Sequence, residues 1–236
     1  MIVPRIAGLT GEVVAVSGNH DSSILMEALA DDGVNVVGTD GVLGPGGVYE
    51  DGDFLEVEGL TVAGFSDPLE WEGDDPGSSE RIYSFPEYED GDERLAQAKE
   101  DVVAWFDGLP SAPDIALVHQ NSLAQHLAAT LTAEGFAGPL TILTGHNHYQ
   151  QLDRYAGGAI NVMNASTLGA GGPLRFGQES AGLGELHFED DEAVLQSVDL
   201  IQIEPLSGQA KAERVILDVV CPPAESEEEP CHYEPG

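Results

Sequence analysis

Two short apolar runs each stop at a histidine-bearing word, and this pattern sets narrow limits on the fold. Val13-Val14-Ala15-Val16-Ser17 leads straight into Gly18-Asn19-His20-Asp21, and Thr141-Ile142-Leu143-Thr144 leads into Gly145-His146-Asn147-His148. Short continuous runs rich in β-branched side chains read as buried strands. The imidazoles and amides then fall in the loop just past a strand end, where α/β proteins usually keep their ligands. With ordinary residue usage, one such four-residue word arises by chance about once in several hundred thousand positions. A third histidine, His119, ends the run Ile115-Ala116-Leu117-Val118. Singly, a Gly-Asn pair serves a turn and a strand-end histidine is a solvated or hydrogen-bonded side chain. The order and the shared strand context are what point to a site.

The intervening sequence supplies the helices that such strands need. Ser22 or Ser23 caps a helix carrying Leu25, Ala28 and Leu29, and Gly33 ends it. Val34 to Val37 reads as a strand, and residues 41 to 66 as a β-hairpin region with glycine-rich turns. Asp67 to Asp90 is rich in Pro, Gly, Ser and acid and reads as a long surface loop, either a lid or disordered. An amphipathic helix follows, with Leu95, Ala98, Val102, Trp105 or Phe106, and Leu109 on one face, Asp92 as cap and Gly108 with Pro110 as its stop. After His119, Asn121 caps a helix carrying Leu123, Leu127 and Leu131, which Gly135 closes. Beyond Tyr149 the pattern turns to strands at 159–163, 184–188, 194–203 and 214–219. His126 falls on the polar or boundary side of its helix and His187 inside a late strand; neither is given a role. Strand–helix–strand units followed by antiparallel strands fit a layered α/β sandwich. One domain is expected over residues 1–220, with 221–236 an acidic, Pro- and Glu-rich tail, solvated and disordered.

In this order the three motifs resemble the second half of a calcineurin-like metallophosphoesterase, over about residues 10 to 200. The family's series is Asp-x-His, Gly-Asp-x-x-Asp, Gly-Asn-His-Asp, a lone His, and Gly-His-x-His. This chain carries the last three; the 17 residues before Gly18 hold no Asp and no His. The resemblance implies two facing sheets flanked by helices, an α/β/β/α sandwich, here without its N-terminal strands. It implies hydrolysis of a phosphate mono- or diester by a metal-activated water, with two divalent ions in the intact site. Asn19, His119 and His146 would hold one ion and His148 would contribute to the other. His20 would act beside the leaving-group oxygen, and Asp21 would orient His20. These ligands suit Mn, Fe, Zn, Ni or Mg without choosing among them. The bridging carboxylate has no counterpart in these motifs, so the chain is expected to be an N-terminally truncated domain. The alternative is a non-catalytic module with a residual single-metal site. Asn164-Ala165-Ser166 stands where the family has Asn-Pro-Gly-Ser, a packing and turn feature. Leu60 to Pro68 is similar to a segment of bacterial metallophosphoesterases whose catalytic domain follows transmembrane helices, which implies a membrane-tethered full product.

Composition narrows the partners. The formal net charge is -35, from 43 acidic and 8 basic residues. Such a surface repels phosphate backbones and anionic membranes, which disfavours nucleic-acid binding. It suits solubility in a salty environment, where screening relieves self-repulsion. No run of about 18 apolar residues marks a membrane segment. Cys221 and Cys231, both in the tail, either close a small disulfide loop or stay free thiols; a zinc site with His232 lacks a fourth ligand. Compartment and oligomeric state are left open.

Overall fold

The computed structural model describes residues 11–50, 52–70, 91–166, 181–189, 193–204, 207–217 and 231–233. These residues form a mixed α/β chain with three α-helices and several sheets, and the chain divides into two compact units, Met1–His119 and Gln120–Gly236. No helix among the described residues is long and apolar enough to cross a membrane.

The first unit begins with β1 (Val14–Ala15), α1 (Ser23–Asp31), β2 (Asn35–Gly38), β3 (Gly41–Gly44) and β4 (Val48–Glu50). They form a sheet in the order β1-β2-β3-β4, with β1 parallel to β2 and the remaining pairs antiparallel. Helix α1 starts where Ser22 Oγ accepts the Leu25 N–H at 3.2 Å. It ends at Gly33, whose φ of 87° suits glycine, and the Val34 N–H returns to the Leu29 carbonyl at 3.0 Å. Met26 and Ala30 then pack on Val34, Val36 and Leu43, against Val13 and Ala15 of the β1 segment. Among the described residues β1 pairs with β2 alone and so lies at the sheet's edge.

The same unit holds β5 (Leu55–Val57), β6 (Leu60–Phe65), α2 (Gly91–Gly108) and β7 (Ile115–Val118), with β5 antiparallel and β7 parallel to β6. Gly64 allows β6 to approach β2 at backbone distance, since a Cβ there would stand 2.7 Å from the Val37 carbonyl oxygen. On α2, Ala98, Val102 and Phe106 are buried, and Trp105 sets its ring 5.6 Å from that of Phe65. The helix begins at Gly91, so Asp92 is in its first turn rather than at the cap; there, with Glu93, it still faces the positive end of the helix dipole. Asp67, expected on the surface, is buried, and its N–H donates to Ser17 Oγ at 3.0 Å. Residues 71–90 of the expected loop lie outside the described residues.

The second unit opens with α3 (Asn121–Ala133), followed by β8 (Leu140–Thr144), β9 (Gln150–Tyr155) and β10 (Ile160–Ala165). Strand β10 runs parallel to β8 and antiparallel to β9. Leu123, Leu127 and Leu131 are buried as their spacing requires, and Gly135, at φ 81°, ends α3 while the Phe136 N–H reaches the Leu131 carbonyl. Asn121 is not the cap: it is the first helical residue, and its side chain is engaged elsewhere. Strands β11 (Ala181–Phe188), β12 (Leu195–Ile203) and β13 (Ala210–Ile216) form an antiparallel sheet. Leu195, Val198, Leu200 and Leu217 from this region meet Leu152 and Met163 in one core. The last strand runs four residues earlier than its expected start at 214. Within the expected disordered tail, β14 (Cys231–Tyr233) pairs antiparallel with β9. The rest of that tail, and with it the disulfide question, lies outside the described residues.

Candidate metal-binding loops

The six residues singled out by sequence fall into both units. Asn19, His20, Asp21 and His119 belong to the first, and His146 and His148 to the second. Each set is held by its own means.

In the first unit, β1 delivers residues 17–21 and β7 delivers His119. The loop closes on itself: Asp21 Oδ2 accepts the Gly18 N–H at 2.8 Å, and the Asp21 N–H donates to the Gly18 carbonyl at 2.9 Å. The imidazole of His119 lies directly over Gly18. A Cβ on that glycine would stand 2.9 Å from His119 Cε1 and 3.0 Å from both ring nitrogens, so a side chain at 18 would displace the ring. This close approach brings His119 Nε2 within 3.1 Å of Asn19 Oδ1, across 100 residues of chain. Asn19 is buried and His20 is exposed at the loop's tip. Burial raises the Asp21 carboxyl above its ordinary value, opposed by the Gly18 N–H and by the nearby His20. The carboxylate expected to orient His20 therefore spends one oxygen on its own loop.

The separation of Asn19 Oδ1 and His119 Nε2 bears on whether a cation fits. Two neighbouring ligands at right angles around an ion, each about 2.1 Å from it, stand about 3 Å apart. An amide oxygen and an imidazole nitrogen are also chemically suited to the divalent ions named above. The pair fits as two ligands of one ion, though neither carries the negative charge that would offset it.

In the second unit, β8 delivers His146 and His148 on the loop to β9, both half-buried. Asn147 between them is gripped at both backbone atoms. Its N–H donates to Asn121 Oδ1 at 3.2 Å, and its carbonyl accepts from Asn164 Nδ2 at 2.6 Å. Asn164 Nδ2 also reaches Asn121 Oδ1 at 3.2 Å, Asn164 Oδ1 accepts the Ser166 N–H at 2.8 Å, and Ser166 Oγ donates to the His148 carbonyl at 3.0 Å. The Asn164-Ala165-Ser166 segment, read as a packing and turn feature, thus bonds directly to the backbone of the histidine loop.

A third group was not singled out. Glu185, His187 and Asp199 bring one ligand atom each to within 4.8 Å of one another, and such a group can hold a metal ion. Glu185 and His187 are two residues apart on β11 and so share a face, and the register sets Glu185 opposite Asp199 and Asp199 opposite Arg214. Asp199 is already engaged: Arg214 Nε donates to its Oδ1 at 2.6 Å and Arg214 Nη2 to its Oδ2 at 2.5 Å, with His187 Nε2 3.2 Å from Oδ2. The Arg214 hydrogen bonds, helped by His187, hold the Asp199 carboxyl down at about 2. The available signal was Glu-x-His in a strand, which places two ligand types on one face.

Compared with known proteins, the chain matches no family model, no curated protein and no solved structure.

Proposed function

We propose that the chain is a metal-dependent phosphoesterase of the calcineurin-like kind, built on a layered α/β/β/α plan, that hydrolyses a phosphate mono- or diester. The observation that carries the reading is the 3.1 Å approach of Asn19 Oδ1 to His119 Nε2. Two strand ends far apart in sequence bring together an amide oxygen and an imidazole nitrogen, atoms of the kinds that bind divalent ions, from residues that the motif order had selected.

Asn19 and His119 would hold an ion in the first unit, and His146 and His148 would offer imidazole ligands in the second. Bound divalent ions lower the pKa of a water and neutralise charge on the phosphoryl oxygens. The side chains of the chain supply the remainder. His20, exposed at the loop tip, donates a proton or hydrogen bond to the oxygen of the leaving group. Asp21, next in sequence, would orient the His20 ring for this role. Glycine at 18 keeps the His119 ring seated over the loop. With a net charge of -35, the chain repels a phosphate ester everywhere except where bound cations reverse the local field.

The test is turnover by the full chain of p-nitrophenyl phosphate and bis-p-nitrophenyl phosphate, with Mn, Zn, Fe, Ni or Mg supplied in turn. Metal-dependent hydrolysis that falls about a hundredfold or more in His20→Ala is the expected result. One bound ion per chain with no turnover would instead favour the non-catalytic module. Neither bound metal nor turnover with any ion would end both.

A further inference from the structure

The histidine loop of the second unit is held by a feature that the motif itself does not contain. Asn147 sits between the two proposed ligands, and both of its backbone polar groups are bonded to side-chain amides from other elements, Asn121 at the start of α3 and Asn164 on β10. Asn121 and Asn164 are 5% and 1% exposed. The bonds leave little freedom in assigning the amides. Asn164 must present its NH2 to two oxygens, Asn121 Oδ1 and the Asn147 carbonyl, while its own oxygen accepts from Ser166. Asn121 acts through a single oxygen that accepts twice. Buried amide groups of this kind are costly to leave unpaired, so the network admits one arrangement.

We infer that Asn121 and Asn164 are positioning residues, whose amides clamp the peptide of Asn147 and so fix where His146 and His148 present their imidazoles. This rests on the reading of those histidines as metal ligands. The clamp also explains why Asn121 departs from its expected capping role: its oxygen is used by the loop.

The donor and acceptor roles make an asymmetric prediction that packing alone does not. Asn121→Asp keeps the oxygen that accepts both bonds, and its new charge sits at a helix start, where the dipole favours it. Asn164→Asp is equal in size but replaces a double donor with a group that repels both partner oxygens. Backbone amide exchange at Asn147 and the ring signals of His146 and His148, followed by NMR, read the clamp directly. Co2+ titration of the full chain reads the ligands.

Asn121→Asp should resemble the parent, whereas Asn121→Leu and Asn164→Asp should speed exchange at Asn147 about tenfold or more, shift both ring signals, and weaken Co2+ binding about ten- to hundredfold. Loop signals unchanged in Asn164→Asp, or Asn121→Asp and Asn121→Leu equally perturbed, would overturn the inference. Should Asn164→Asp not fold, the two Asn121 variants decide it by the same readouts. A parent that binds no Co2+ while its loop still loosens in Asn164→Asp would sustain the clamp and count against the metal reading instead.

Discussion

The two histidine loops present similar chemistry but are held by opposite means. Residues 18–21 are fixed by contacts that the motif supplies itself: a carboxylate three residues ahead closes the loop, and a missing Cβ lets His119 rest on the backbone. Residues 145–149 have internal bonds between Asn147 and Tyr149, but are also gripped from outside, by amides from α3 and β10 and the hydroxyl of Ser166. A self-closing loop can be read almost wholly from its own four residues. A clamped loop cannot, because its geometry depends on side chains dozens of positions away. The difference also assigns different weak points: steric and electrostatic in the first loop, the pairing of neutral hydrogen bonds in the second.

The largest expected effect follows from the steric half of that contrast. Gly18→Ala places a methyl about 3 Å from three atoms of the His119 ring, so the ring must move off the loop. Overpacking of this kind costs about 1–3 kcal/mol, visible as a lower denaturant midpoint with an unchanged slope. Metal affinity should fall more than the stability loss implies, since Asn19 and His119 lose their 3.1 Å registry. A Gly18→Ala protein that keeps parental stability and metal binding would show that the first loop, too, is held from elsewhere.

Asp21 probes the electrostatic half with a smaller effect. Because burial raises its folded-state pKa, the stability tied to this group is full below the ordinary carboxylate value, about 3.9, and is lost as pH rises through the raised value. Asp21→Asn mimics the protonated form and keeps an oxygen for the Gly18 N–H. It should match the parent in acid and equal or exceed it at pH 7. Asp21→Leu removes the acceptor and should be less stable at both, by about 1 kcal/mol. If Asp21→Asn proves clearly weaker at pH 7, the negative charge itself, facing His20, is what steadies the loop. Melting curves of the three proteins across pH 3 to 7 separate the two accounts.

Local structure was legible where one residue type does one thing. Gly33 and Gly135 end their helices at positive φ, and the 3–4 spacing on α2 and α3 marks the buried faces. Strand β9 was not legible, because among its buried residues are Gln150 and Asp153, which sequence patterns assign to water. Asp153 is tolerated there by the amides of Gln125 and Gln151, at 3.1 and 2.6 Å, a pairing that only the folded chain provides. Asn121 misled for a related reason: a residue well suited to capping was taken up by a long-range bond. Of the candidate site, the motifs point only to residues within the two loops, while the Asn164 clamp and the row through Glu185, Asp199 and Arg214 depend on strand register, which is set by pairing between distant segments.

The smallest effect belongs to that row, which lies at the exposed end of the scale set by the two loops. Its pairs are held by charge near water, where ion pairs contribute little to stability and are screened by salt. With Asp199 held down at about 2, its contribution is present above the ordinary carboxylate range and fades as pH falls from about 3.9 toward that value. Arg214→Met should therefore cost slightly at pH 6 and nothing measurable at pH 2. The same substitution removes the cation that occupies both Asp199 oxygens, so Zn2+ should bind Glu185, His187 and Asp199 up to about tenfold more tightly. His187→Ala in the Arg214→Met background should abolish that gain. Zn2+ affinity unmoved by loss of the guanidinium would mean that the row is an ion pair alone, with no room for a metal even when its competitor is gone.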